Sequence, residues 1–262
     1  MRYRYDRRGS RAIGLPKSEI AQFVDRDLVP KIRRTLERLR PDRPLGTGPV
    51  LAEGTIVVDD VKGDRVYADV TIQTRAATKK GTAVLKAWAG PVKFVRGDYR
   101  SAVVVEVNGA FAPQEILAGQ EMSMGQGLRF KHDMLQPVSS CRTLQCLPFA
   151  IYNQLLHELT HVVDTFMPKV DYYNADGTVI DARYYNHPAE VRAIIQTMVD
   201  EALNHGRKLK EHFKGNSQRL VAMVLRMSSE WKVVEPHMNR QNTAKVMKAI
   251  YTALVEEGIL EA

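Results

Sequence analysis

Cysteine is scarce in this chain: two residues in 262, Cys141 and Cys146, with four residues between them. Two thiols cannot make a structural zinc site by themselves. His132 and Asp133 are the nearby residues that would have to complete one, and a small disulfide loop is the other pairing open to the cysteines. No secretion signal is evident, because the N-terminal MRYRYDRRGSRAIGLPK is basic but lacks an apolar stretch. Reduced thiols are therefore expected, in a protein that is cytoplasmic or virion-associated. Long apolar runs are also missing, so no transmembrane helix and no membrane partner are expected. Zinc-finger spacing, an RNA-binding aromatic signature, a phosphate-binding glycine loop, internal repeats and low-complexity tracts are all absent. The formal charge of +8 thus keeps nucleic acid only as a secondary partner class. Its arginines gather early, at Arg2, Arg4, Arg7, Arg8 and Arg11 and again at Arg33, Arg34, Arg38, Arg40 and Arg43, as in a basic tail followed by a solvated helix face.

A hydrophobic content of 44% is enough for a sizeable core. Ile20, Phe23, Val24, Leu28, Ile32, Leu36 and Leu39 recur at helical spacing over 17–39, and Pro30 is expected to break that helix in two. Residues 41–49 read as a Pro- and Gly-containing linker. Strand character follows over 55–60, 65–74, 82–88, 92–95 and 102–107. It is clearest where Val66, Ala68, Val70 and Ile72 alternate with Tyr67, Asp69, Thr71 and Gln73. Helical spacing returns over 148–166, 188–204, 218–232 and 239–257. The expected architecture is α+β, an N-terminal helix and a mixed or antiparallel sheet followed by a mainly helical region. Three segments are expected: 1–49, basic with a helix; 50–135, the sheet; and 136–262, the helical catalytic region, packed with the sheet as one unit.

Chemistry concentrates in His157-Glu158-Leu159-Thr160-His161. Tyr152, Leu155, Leu156, Leu159, Val162, Val163 and Phe166 form an apolar stripe at helical spacing. Gln154, His157, Glu158, His161 and Thr165 form the adjoining polar one. Pro148 suits the first turn, where a missing N–H costs nothing. Two histidines one turn apart on one helix face can grip one ion, and zinc is the usual occupant. Glu158, one position along, can reach a metal-bound water without ligating the metal and serve as the general base.

Two imidazoles do not complete a catalytic zinc site. Glu190 is the leading third ligand, placed by Pro188 in the opening turn of the next helix. A carboxylate there is also what capping and the helix dipole favour. Asp181, His187, Asp171 and Asp176 remain alternatives. Asp164, one turn after His161, is a candidate to orient a ligand histidine. Tyr184, Tyr185, His187, His237 and Arg240 can supply the donor that a developing oxyanion needs, with Tyr185 named as the catalytic one. Met122, Met124 and Met134 read as packing residues.

HELTHVVD followed by YYNHPAEVRA resembles the zincin metallopeptidases of gluzincin type, in which a glutamate on a second helix completes the site. The resemblance runs from Ile151 to about Ala193 and extends to small predicted peptidases of bacteriophages and bacteria. It implies a Zn2+ cofactor, a protein or peptide substrate, and a sheet ahead of the active-site helix whose edge strand binds extended substrate. Residues 102–107 are the candidate edge. Departures are the missing second half of thermolysin-like enzymes and Ile194, which stands where some members have an aspartate. The expected activity is zinc-dependent peptide-bond hydrolysis. Its alternatives are amide hydrolysis of a non-protein substrate and a basic, virion-associated binding protein with a non-catalytic metal site.

Overall fold

The computed structural model describes residues 15–59, 64–77, 85–117, 147–164, 182–213, 216–228, 231 and 234–260. It is an α+β protein with a helix ahead of a mixed sheet. These residues fall into two compact units, 15–117 with 147–164 and 182–260.

The first unit opens with α1 (Lys17–Gln22), a π-helical stretch Phe23–Leu28 and α2 (Val29–Glu37). Pro30 does not break the path as expected. It sits in the first turn of α2, and just before it the Val29 N–H reaches back five residues to the Val24 carbonyl. A π-type turn absorbs the register that proline, lacking an N–H, cannot continue. Ile20, Val24, Leu28, Ile32 and Leu36 are all buried, while Arg33, Arg34, Arg38, Arg40 and Arg43 are exposed.

The sheet contains β1 (Val50–Asp59), β2 (Arg65–Arg75), β3 (Leu85–Ala89), β4 (Lys93–Val95) and β5 (Asp98–Asn108). Its order is β1-β2-β5-β3, with β4 also paired to β5. The alternation read in 65–74 is realised: Val66, Ala68, Val70 and Ile72 are buried, and their intervening neighbours are half-buried. β4 and β5 are joined through Arg96 and Gly97, both at positive φ (53° and 96°), as a two-residue hairpin matched to strand twist requires.

One expectation is corrected. The 102–107 segment is not an edge: β5 pairs with β2 in parallel on one side and with β3 and β4 antiparallel on the other. Its consecutive Val103, Val104 and Val105, all buried, are what a strand covered on both faces needs.

α3 (Pro113–Leu117) follows the sheet. α4 (Leu147–Asp164), the helix that carries the HELTH sequence, packs on β3 and β5. Tyr152, Leu155, Leu156, Leu159, Val162 and Val163 are buried, as their spacing predicts.

The second unit is helical: α5 (Ala182–Asn186), α6 (Pro188–Leu209), α7 (Ser217–Met227) and α8 (Arg240–Glu256), with 3-10 turns at Lys210–Phe213 and Glu235–His237. α6 packs on α7 and α8. Glu201, on α6, accepts a 2.5 Å bond from the Ser228 hydroxyl. One turn on, burial, and secondarily the Lys208 charge, pushes the His205 imidazole down to about 4 from its ordinary 6.5.

Because the unfolded chain binds that proton more readily, His205 favours the folded state above pH 6.5 and withdraws this support as the pH falls toward 4. The loss is about 3 kcal/mol at most. Urea midpoints measured between pH 7 and pH 4 are expected to fall more steeply in the native protein than in His205→Gln. Equal slopes would contradict the assignment.

Candidate metal centre

α4 presents His157 and His161 one turn apart, as the spacing dictates. Their ring centroids are 5.1 Å apart and the ring planes 74° to each other. The polar stripe is not the solvated face that a surface helix would have. His157 is half-buried, Glu158 is 7% exposed and His161 4%. Thr160, fully buried, returns its hydroxyl to the Leu156 carbonyl at 2.8 Å. Ionisable groups are rarely buried to this degree unless something compensates their lost hydration.

Glu190 is placed by a separate local device. His187 caps α6 with its Nδ1 accepting the Ala189 N–H at 3.3 Å, and Pro188 fills the first helical position. Glu190 therefore falls in the first turn, where the helix dipole favours a negative charge. An ordinary first-turn carboxylate sits in water. Glu190 is 2% exposed, which the dipole alone does not explain.

Among the described residues, one group of histidine, cysteine, aspartate and glutamate side chains is gathered closely enough to hold a metal ion. It is His157, His161 and Glu190, each offering one ligand atom, with all three atoms within 4.8 Å of one another. Donors gripping one zinc at about 2.0–2.2 Å lie roughly 3–4 Å apart, against separations within 4.8 Å here. Two imidazoles and a carboxylate form a borderline donor set that would suit zinc, and three protein ligands would leave a fourth position for water or substrate.

His187 uses Nδ1 as a helix cap and is not in the metal group. Asp171, Asp176 and Asp181 lie outside the described residues, as do Cys141, Cys146, His132, Asp133, Met122, Met124 and Met134. Asp164 is the last residue of α4, and Arg240 is the exposed first residue of α8.

Tyr184, Tyr185 and His237 come together. The Tyr184 and Tyr185 rings meet edge to face at 5.1 Å, and Tyr185 stacks on His237 at 5.3 Å with 15° between planes.

Sequence reading missed Asn186. Its amide donates to the His237 carbonyl at 2.9 Å, and its oxygen accepts from the Asn239 N–H at 2.8 Å and the Asn242 amide at 3.1 Å. The partners lie more than fifty positions away, so no local pattern announces the network. Comparisons with protein-family models, with curated proteins and with solved structures find no match.

Proposed function

We propose that this protein is a zinc-dependent metallohydrolase that cleaves peptide bonds, with His157, His161 and Glu190 holding the metal. The observation that carries this reading is the gathering of those three donors, two of them from an H-E-x-x-H helix. Zinc bound there would polarise the substrate carbonyl and acidify a water at neutral pH.

Glu158 follows His157 directly, is nearly buried, and is absent from the ligand group. It is left to work as a base. It takes a proton from the attacking water and later delivers that proton to the amine released from the peptide. A carboxylate shielded from bulk water keeps the transferred proton for that second step instead of losing it to solvent.

Peptide hydrolysis is favoured over other amide bonds by the likeness of HELTHVVD and YYNHPAEVRA to gluzincin peptidases.

The test is incubation of the zinc-loaded protein with a mixed peptide library, read by mass spectrometry. Internal cleavage is expected, abolished by a chelator and restored by added zinc. An untouched library, together with chelator-sensitive hydrolysis of a non-protein amide, would overturn the peptidase reading. Salt-sensitive retention of DNA by a protein that binds no metal would overturn the enzyme reading altogether.

A further inference from the structure

We infer that the β4–β5 hairpin is a docking surface for single-stranded nucleic acid, with Phe94 and Tyr99 stacking unpaired bases and Lys93 and Arg96 meeting the phosphates. This surface is separate from the metal centre and does not depend on the hydrolase reading. The starting point is what the hairpin leaves in water. All three residues of β4 are exposed. Phe94, at 66%, is more exposed than any other large apolar side chain among the described residues. Its cross-strand partner Tyr99 is 42% exposed, and the two rings meet edge to face at 5.2 Å.

A cross-strand aromatic pair steadies a hairpin, but that role does not require so much ring surface in contact with water. Side chains alternate along a strand, so Tyr99 shares a face of β5 with Ser101, Val103, Val105 and Val107. Those four are buried. The cover of the sheet therefore stops short of the aromatic pair.

Charge points the same way. Lys93 stands directly opposite Arg100, a like-charged pairing that weakens a hairpin. Asp69 answers only Arg100, through bonds of 2.6 and 2.9 Å, and is itself held by the Thr55 hydroxyl at 2.9 Å. Among the described residues, no carboxylate pairs with Lys93 or Arg96. Arg96 is also the one non-glycine residue among them at positive φ, 53°. Asparagine or glycine fits that turn position at a lower steric cost. The hairpin thus keeps a cation at its tip against the preference of its backbone.

Exposed ring faces interleaved with unneutralised cations suit a ligand made of flat rings joined by phosphates. A duplex hides its base faces, and an acidic protein surface answers only the cations. A bilayer needs one continuous apolar patch, whereas the consecutive Phe94 and Val95 side chains project to opposite faces of the strand.

Fluorescence anisotropy of a labelled oligothymidylate, titrated with the full-length protein over a range of salt, tests this. Oligouridylate alongside distinguishes DNA from RNA as the source of the strand. Salt-sensitive binding is expected, at least about fivefold tighter than to the same strand in duplex, the lower bound for one stacked base. Phe94→Val keeps a strand-favouring side chain but removes the ring. It is expected to weaken binding about 5- to 150-fold with the salt slope unchanged.

Arg96→Asn is expected to make the slope of log affinity against log salt shallower by about 0.7, one phosphate contact on a single strand. Its melting temperature should equal or exceed that of the native protein, because asparagine suits the turn. A merely structural hairpin would show the stability change without the change in slope. If Phe94→Val does not fold, Arg96→Asn and the comparison of single strand with duplex decide the matter. Equal affinity for duplex would overturn the inference, as would binding indifferent to both substitutions, which would place the strand on other arginines. Absence of oligonucleotide binding, with Phe94-dependent retention on phosphatidylserine vesicles, would overturn it in favour of a lipid surface. None of these outcomes alters the zinc content or peptide cleavage on which the hydrolase reading stands.

Discussion

Replacement of Glu158 by glutamine is expected to leave zinc binding intact and lower peptide hydrolysis by a factor of about 10² to 10⁴, the range of a general base. Through RT ln of that factor, this is about 2.7–5.5 kcal/mol of transition-state stabilisation. The amide matches the carboxylate in size, so packing around this nearly buried position, 7% exposed, is preserved while the proton acceptor is lost. Glu158 is outside the ligand group, so metal content should stay at the wild-type level. Single-turnover assays on zinc-loaded protein give the cleanest reading, because they exclude product release. Turnover equal to wild type would show that another group activates the water, even with the metal site correct.

Glu190→Gln carries the second large effect, this time on affinity. An amide oxygen is a weaker donor than a charged carboxylate, and the metal would keep only two imidazoles and water. Zinc affinity is expected to drop at least about a hundredfold, beyond the 10- to 100-fold seen when only an outer partner of a ligand is lost. The competing account makes Glu190 a helix-start carboxylate worth about 0.3–1 kcal/mol of stability and nothing in affinity. Its 2% exposure sides with the ligand role. Zinc titration against a competing chelator, alongside thermal melts, distinguishes the two. Asp181→Asn is the companion variant and should leave affinity unchanged. An affinity loss there, with Glu190→Gln unaffected, would move the third ligand and remove the gluzincin likeness.

How much of this was legible depends on whether a feature is encoded locally. The alternation from Val66 to Ile72 specified one buried face of β2 because side chains alternate with a period of two. The HELTH helix was legible from its apolar stripe, and its two histidines had to share a face because they are four residues apart.

The place of β5 was misread because pairing partners lie elsewhere in the chain. Still, the run Val103-Val104-Val105 was a signal of cover on both faces that the edge reading passed over. The effect of Pro30 was overstated because a π turn can absorb its missing bond. Burial of the polar stripe on α4 was invisible, since a helical wheel shows which residues share a face but not what covers it. The Asn186 network was out of reach for the same reason, with its partners 51 to 56 positions away.

The metal content of the purified protein tests the central claim most directly. Wild-type protein, dialysed against zinc and then freed of excess, should carry one zinc per chain by mass spectrometry under native conditions. The His157→Ala/His161→Ala double variant should carry none while retaining its fold by circular dichroism. A folded double variant that still holds one zinc per chain would place the metal elsewhere and contradict the account.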